Sequence, residues 1–343
     1  MKYFATAVQG LGKILEEEIL ERLDGDAEVH ATEFDGRNDI VSFTSQPFDP
    51  RGGLWISEDV YVEVSESTGK SLRDIVEGLF ETTTLERALS VYASQVKPLR
   101  SRMSYRVVAR LLSERSFMRS ELRDGAIARL RDLRSKWEVG DPGDLEFWVL
   151  ETRPKFFRAG LRLTGPEMRH RSGRAVERPG SLKPTVGAAM IFLAGKPGEH
   201  PLIDPACGSG TILGEALPTG WSAVGSDIDP AAVEASRSNV SGAQTLVADA
   251  RRLPFADGSF DAVACNLPFG RQYRVPGSVV EWLMSVLQEY GRVSREDSPI
   301  VLLVPESKPF SQALKRLGFG VIDRYNLRVR GQTTALWKIE DSV

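Results

Sequence analysis

The chain has 343 residues and a net charge of −3, with 41% hydrophobic and 27% charged residues. This length favours two domains over one, and no apolar run reaches the roughly 20 residues that span a bilayer. Two cysteines, Cys207 and Cys265, are too few for a disulfide framework or a cysteine zinc site. The amino terminus leads into a charged helix and not into the apolar core of a signal peptide. We therefore expect a cytoplasmic protein without a membrane segment or a bound metal.

Positive charge is concentrated in one part of the chain. Residues 97–183 hold 21 Lys and Arg against 11 Asp and Glu, so the remainder is strongly acidic. Such a block can be the footprint of a polyanion partner such as RNA. A solvated, arginine-rich surface would have the same composition, and charge alone does not separate the two interpretations.

The first half of the chain mixes strand and helix patterns. Alternating apolar residues predict strands, and apolar residues at helical spacing predict helices. Residues 1–165 are therefore expected to form one compact α+β domain. The predicted strands are 3–8, 39–43, 54–64, 105–111, 145–150 and 156–163, and the predicted helices are 11–23, 72–92 and 118–137.

A basic linker or functional loop is predicted at residues 166–183. This stretch has no hydrophobic periodicity and is dense in arginine, and Pro184 then opens an apolar helix. We place the domain boundary here, so that residues 184–343 form the second domain.

Strands and helices alternate in the second half, which predicts a doubly wound, mostly parallel sheet. The last two strands have no long helix between them, which indicates a terminal antiparallel hairpin and disfavours the nicotinamide-binding type of sheet. The predicted strands are 202–204, 222–227, 245–248, 262–265, 300–304, 321–329 and 334–339.

A nucleotide-type site is predicted at the carboxyl ends of the first three of these strands. Gly208 and Gly210 lie in the turn after the first strand, where glycine permits a tight turn and close backbone approach. Asp204 precedes that turn and suits a cationic amino group. Asp227 ends the second strand, where a carboxylate can accept ribose hydroxyls, and Asp249 follows the third strand, where it could meet an adenine amine.

Four residues after the fourth strand, Asn266-Leu267-Pro268-Phe269, are suited to holding a flat, amino-bearing ring. The Asn266 side-chain oxygen can accept a hydrogen bond from the amine. The carbonyls beside Pro268 can accept another, and Phe269 can stack on the ring.

The stretch Asp204 to Thr211 resembles motif I of the class I S-adenosylmethionine-dependent methyltransferases, and Asn266 to Phe269 resembles their amino-methylating motif IV. With the block Arg171 to Met190, the second half is similar to the THUMP-domain tRNA guanine-N2 methyltransferases. Leu267 stands where many DNA- and protein-methylating relatives have proline, which favours RNA. Residues 104–163 resemble THUMP more loosely, preceded by a ferredoxin-like unit. The resemblance implies a seven-stranded catalytic sheet and an RNA-binding amino-terminal unit.

The resemblance also implies a function, methylation of the N2 amine of a guanosine in tRNA. The implied guanosine lies in the acceptor stem and is of the position 6 type. The enzyme is expected to be a monomer. The implied catalytic residues are Asn266, Leu267, Pro268 and Phe269. The implied S-adenosylmethionine contacts are Pro184, Thr185, Asp204, Pro205, Ala206, Gly208, Gly210, Thr211, Asp227, Ile228, Asp249, Ala250 and Asn266. The implied RNA contacts are Arg169, Arg171, Arg174, Arg178 and Lys183.

Three alternatives stay open on the sequence. The amine could belong to a ribosomal RNA guanine, a nucleic-acid adenine or a protein glutamine. The protein could instead be a non-catalytic RNA-binding protein with a degenerate methyltransferase domain, or a nicotinamide dehydrogenase. Substrate profiling, cofactor binding and an NADH titration would separate them.

Overall fold

The computed structural model describes residues 1–23, 25–114, 116–171, 176, 178, 180–267, 278–305, 308–329 and 331–341. The chain divides into two compact units, Met1–Arg169 and His170–Val343. This division falls inside the stretch predicted as a linker.

The first unit is built on one mixed sheet with the strand order β2-β3-β1-β4-β8-β7-β5-β6. Strand β5 runs parallel to β6 and β7, and the other neighbouring strands are antiparallel. The strands are β1 (Lys2–Val8), β2 (Glu28–Phe34), β3 (Asn38–Thr44), β4 (Asp59–Ser67), β5 (Ser104–Arg110), β6 (Glu138–Val139), β7 (Leu145–Arg153) and β8 (Phe156–Arg162). The helices are α1 (Gly12–Arg22), α2 (Leu72–Leu79), α3 (Thr82–Gln95) and α4 (Arg119–Leu133), and a short α5 (Glu167–His170) lies at the division.

Two helices occupy the stretch predicted as one helix over residues 72–92. Helix α2 ends at Leu79, and α3 starts at Thr82, the first of three consecutive threonines. Threonine is a weak helix former and favours helix starts, where its hydroxyl can bond the backbone. The hydroxyl of Thr84 does so, donating to the carbonyl of Glu81.

The strand predicted over residues 54–64 begins later, at Asp59. The buried Glu18 carboxylate accepts the backbone N–H groups of Trp55 and Ile56, which removes them from any strand ladder. Strand β2 was not predicted, because its residues are mostly polar and exposed at the edge of the sheet.

The first unit also buries arginine side chains. Arg162 on β8 is 7% exposed and lies 2.5 Å from Asp59 and 3.3 Å from Glu146. Arg158 is 5% exposed and contacts three carboxylates, those of Glu33, Glu63 and Glu66. Buried charges of this kind need their partners, because an isolated ion is costly to desolvate.

The second unit has the strand order β11-β10-β9-β12-β13-β15-β14. The first five of these strands are parallel, and β15 pairs antiparallel with β13 and β14, as the predicted terminal hairpin requires. The strands are β9 (Leu202–Asp204), β10 (Ala223–Asp227), β11 (Gln244–Val247), β12 (Ala262–Asn266), β13 (Ile300–Pro305), β14 (Gly320–Val329) and β15 (Gln332–Glu340). The helices are α6 (Pro184–Ala194), α7 (Thr211–Ala216), α8 (Pro230–Asn239), α9 (Val279–Val293) and α10 (Lys308–Leu317).

The strand order places a crevice at the centre of this sheet. Strand β9 lies between β10 and β12, so the chain winds away from it in both directions. Ligands bind open α/β sheets at such a switch point, outside the carboxyl ends of the strands. Residues of α9 and α10 pack with β9, β12, β13 and β15 in one hydrophobic core, which fixes the strands that carry the site.

No helix within the described ranges is both long enough and apolar enough to cross a membrane.

Candidate active site

Four of the residues predicted for the site lie along one edge of the second sheet. Asp204 is the last residue of β9, Asp227 of β10 and Asn266 of β12. Asp249 comes two residues after the end of β11. Because these strands are parallel neighbours, the side chains stand in a row across the crevice.

The turn after β9 is held by its two glycines and by Asp227. Gly208 has φ +53° and Gly210 has φ +82°, both left-handed conformations that favour glycine. The Asp227 carboxylate accepts the Gly208 N–H at 3.0 Å. A side chain at Gly208 would meet no atom within 4 Å, whereas one at Gly210 would collide with Ser236. Gly208 therefore offers open backbone to a ligand, and Gly210 serves close packing at the start of α7.

Asp204 is a buried carboxyl with an altered proton affinity. Its residue is 2% exposed, and burial raises the pKa of the carboxyl from 3.8 to about 8. The charge of Asp227 acts in the same direction, while the Ala206 N–H and the Cys265 thiol oppose it. Such a group gains a favourable partner when a cationic ligand enters the crevice.

The amino end of α6 has a second feature that suits a ligand, a buried hydroxyl. Pro184 is its first residue, and Thr185 is fully buried. The Thr185 hydroxyl has no hydrogen-bond partner within the described part of the chain. A buried hydroxyl without a hydrogen-bond partner costs stability. A polar group of a bound ligand would supply that partner, which agrees with the prediction that Thr185 contacts the cofactor.

Apolar side chains are exposed at the edge near β11, and the Asp249 carboxylate there already has hydrogen-bond partners. Ile228 is 65% exposed and Val247 is 52% exposed, which is unusual for large apolar side chains. Asp249 accepts the backbone N–H and the guanidinium of Arg251, at 2.9 and 2.6 Å, which holds the pKa of that carboxyl low. Ala250 packs against the core. An adenine amine at Asp249 would share the carboxylate with Arg251, a partner that the sequence did not indicate.

Of the four residues Asn266 to Phe269, the structure describes the first two. Asn266 is half-buried at the end of β12. Leu267 is 4% exposed, and its N–H donates to the Leu303 carbonyl at 3.2 Å, so its side chain belongs to the core. Pro268 and Phe269 lie outside the described residues, as does Arg174 of the basic stretch.

Three of the arginines predicted to contact RNA have carboxylate partners within their own unit. Arg169 lies 2.7 Å from Asp59 in the first unit. In the second unit Arg171 lies 3.2 Å from Glu215, and Arg178 lies 2.5 Å from Asp229. Lys183 precedes α6. These contacts do not test RNA binding, which stays a prediction for all five residues.

The described residues contain neither a cluster suited to a metal ion nor a disulfide bond. No cluster of three or more His, Cys, Asp or Glu suited to a metal ion occurs among the described residues. Cys207 and Cys265 are both free and buried.

Comparison with known proteins identifies the second unit. Residues 171–335 match the family model UPF0020, RMKL-like, methyltransferase domain. The second unit is a methyltransferase domain. The buried Asp204 carboxyl and the Thr185 hydroxyl would fit a cationic, polar cofactor.

Curated relatives cover this methyltransferase domain and less of the rest. A tRNA (guanine(10)-N2)-dimethyltransferase of Methanothermobacter thermautotrophicus is 26% identical over 170 residues, 48% of this chain and 50% of the relative. The tRNA (guanine(6)-N(2))-methyltransferase THUMP3 of Bos taurus is 29% identical over 182 residues, 46% of this chain and 35% of the relative. The chain thus spans half or less of these relatives' length.

A solved structure extends the likeness to the whole chain. TrmN from Thermus thermophilus superposes with a TM-score of 0.76 over 99% of both chains, at 24% identity. At this identity the likeness shows the fold alone. The α/β methyltransferase fold and the resemblance to the methyltransferase family are confirmed, whereas the THUMP assignment stays a prediction.

Proposed function

We propose that this protein transfers a methyl group from S-adenosylmethionine to the exocyclic N2 amine of a guanosine in tRNA. The observation that carries the proposal is the position of Asn266, which ends β12 directly beside the strand of Asp204 in the crevice of a methyltransferase domain. Relatives named as tRNA guanine-N2 enzymes support the choice of amine. We place the guanosine in the acceptor stem, at a position 6 type site.

The geometry of the crevice supports the cofactor contacts that we propose. Asp204 faces the cationic amino-acid part, Asp227 accepts the ribose hydroxyls while retaining the Gly208 N–H, and Thr185 donates its buried hydroxyl. Ile228 and Val247 supply an apolar surface of the kind that a purine ring covers. The remaining proposed contacts are Pro184, Pro205, Ala206, Gly210, Thr211, Asp249 and Ala250.

The bound cofactor would supply an electrophilic methyl group and leave as S-adenosylhomocysteine, and the methylated amine would release one proton to solvent. The protein positions the amine for direct attack, and this proximity is the main source of catalysis. The Asn266 oxygen accepts one amine proton in a hydrogen bond, which orients the nitrogen lone pair towards the methyl group. Backbone carbonyls of the four residues Asn266 to Phe269 accept a hydrogen bond from the second amine N–H, and Phe269 stacks on the base. A base in a stem must leave the helix first, at a cost of roughly a few kcal/mol.

The first unit and the cations of the basic stretch other than Arg178 are proposed to supply the RNA-binding energy. Cationic side chains that neutralise phosphates offset the cost of base flipping and make binding depend on salt. We propose a ferredoxin-like and THUMP organisation for this unit. The protein would act as a monomer in the cytoplasm.

Substitution of Asn266 by Ala tests the catalytic role. We expect methyl transfer at saturating S-adenosylmethionine to fall about a hundredfold, the range for loss of one positioned catalytic hydrogen bond, while tRNA affinity stays within threefold. Asn326→Ala, at an exposed position of β14, is the control and should be neutral. Transfer by the Asn266 variant at a near wild-type rate would disprove the assignment.

Mass spectrometry of nucleosides tests the substrate. Purified tRNA incubated with the protein and labelled S-adenosylmethionine should yield labelled N2-methylguanosine or N2,N2-dimethylguanosine. Label in N6-methyladenosine, or in protein alone, would replace the guanine proposal with another amino acceptor.

A further inference from the structure

Residues of the basic stretch contact the loops that form the cofactor crevice. We call Arg171, Val176, Arg178 and Ser181 the strap residues. Each of them bonds to a residue that follows β9 or β10 in the second unit. The stretch that the sequence marked for RNA thus meets the cofactor site within one unit.

Asn239 joins the strap residues to the glycine turn. Its side-chain oxygen accepts the Val176 N–H at 2.9 Å, and its amide nitrogen donates to the Val176 carbonyl at 2.8 Å. The same nitrogen donates to the carbonyl of Ser209 at 3.0 Å, between the two glycines of the turn. The Ser181 and Ser209 hydroxyls lie 3.0 Å apart and form a second link.

Arg178 holds the loop that follows Asp227. Its guanidinium lies 2.5 Å from one carboxylate oxygen of Asp229, and the other oxygen caps α8 at the Ala231 N–H. The Asp229 N–H in turn donates to the Asp227 carboxylate at 3.0 Å. Arg178 is therefore connected to the proposed ribose acceptor through one residue.

Arg171 anchors the start of the stretch on a buried charge. It donates to both carboxylate oxygens of Glu215, whose side chain is 3% exposed on α7. A carboxylate at that depth needs a cationic partner. Occupation of Arg171 by an RNA phosphate would compete with this pair.

We propose that Asn239 and Arg178 are positioning residues for cofactor binding, and that Arg178 acts through Asp229 instead of contacting RNA phosphate. The strap residues hold the glycine turn and the Asp227 loop in the geometry that receives S-adenosylmethionine. This inference rests on the proposed function for the identity of the cofactor. It concerns affinity for that cofactor and assigns no bond-making step to the strap residues.

The test measures cofactor and RNA affinity separately for Asn239→Ala and Arg178→Ala. Calorimetric titration with S-adenosylhomocysteine should show about a tenfold weaker Kd for each variant, equivalent to about 1.4 kcal/mol. The KM for S-adenosylmethionine should rise in parallel, with kcat at saturation within threefold. The Kd for a tRNA transcript, measured by filter binding, should stay within twofold of wild type.

Two further variants complete the design. Ser238→Ala changes an exposed neighbour of Asn239 on the same helix and should leave both affinities unchanged. Arg178→Lys retains the charge beside Asp229 and should recover most of the cofactor affinity, which loss of folding would not explain. If Asn239→Ala does not fold, the Arg178 pair of variants decides the question.

The outcomes separate this inference from the proposed function. Weakened tRNA binding by Arg178→Ala with unchanged cofactor affinity would make Arg178 a phosphate contact and overturn the inference. Unchanged cofactor affinity in both alanine variants would overturn it as well. Failure of the wild-type protein to bind S-adenosylhomocysteine would instead refute the cofactor on which the proposed function depends.

Discussion

Asp204 should make the second unit less stable as the pH rises from about 4 to about 8. The folded-state pKa of this carboxyl is about 8, against 3.8 for an ordinary aspartate. Across that window the unfolded chain has released the proton while the folded protein retains it. The unfolded state binds fewer protons, so the free energy of unfolding falls with increasing pH. Asp204→Asn removes the titrating group and should abolish this contribution.

The size of the effect follows from the linkage relation. Each pH unit between the two pKa values changes stability by about 1.36 kcal/mol for one group. Between pH 5 and pH 7, Asp204→Asn should therefore gain about 3 kcal/mol relative to wild type. The asparagine can still accept the Ala206 N–H through its amide oxygen, so this bond is preserved. The gain comes at the expense of cofactor affinity, because the amide cannot carry the negative charge.

Hydrogen exchange in urea provides the assay. Peptides from β9 and β12 report unfolding of the second unit alone, at pH 5, 6 and 7 and without ligand. Asp297→Asn, at an exposed position, is the control and should show a constant difference from wild type. A constant difference for Asp204→Asn, or a wild type that gains stability over this range relative to the variant, would refute the reasoning.

Two matched pairs of substitutions test the fold. Gly210→Ala adds a Cβ 2.6 Å from the Ser236 hydroxyl at φ +82°, so it should destabilise the second unit by about 2–5 kcal/mol in urea unfolding. Gly318→Ala has the same φ but meets no neighbouring atom, so it should cost only about 1–2 kcal/mol. Arg162→Met removes one cationic partner from each of two carboxylates, the buried Asp59 and the partly buried Glu146, and should destabilise the first unit by about 1.5–3 kcal/mol. Arg73→Met breaks an exposed pair that solvent screens, and should leave the stability of the first unit nearly unchanged. Equal losses within either pair would contradict the cause assigned to it.

The sheet of the second unit could be predicted because its signals are local. Each parallel strand is a short apolar run, and the side chain that follows it must lie at the carboxyl edge. Asp204, Asp227 and Asn266 could therefore be placed together from the sequence alone. The terminal hairpin was visible for the same reason, since the last two strands have no helix between them.

The contacts that stabilise this site could not be predicted in the same way. Asn239 ends a helix and carries no motif, and its partner Val176 is 63 residues earlier in the chain. The pairing of Asp249 with Arg251 is close in sequence, yet Arg252 offers the same chemistry, so side-chain geometry makes the choice. Strand β2 escaped prediction because an exposed edge strand needs no apolar run.

The positive charge of residues 97–183 comes from two kinds of side chain, those paired inside the protein and those exposed to solvent. A count over the sequence cannot separate them. Arg158 and Arg162 are buried in ion pairs that hold the first sheet, and Arg171 and Arg178 pair with carboxylates of the loops and helices that follow β9 and β10. Such cations would have to break an internal pair to meet a phosphate, which weakens their net contribution to RNA binding. The exposed cations between residues 100 and 136 carry no such burial cost, and a polyanion would gain most there. We therefore expect the RNA footprint of the first unit to include Arg100, Arg102, Arg119, Arg131 and Lys136.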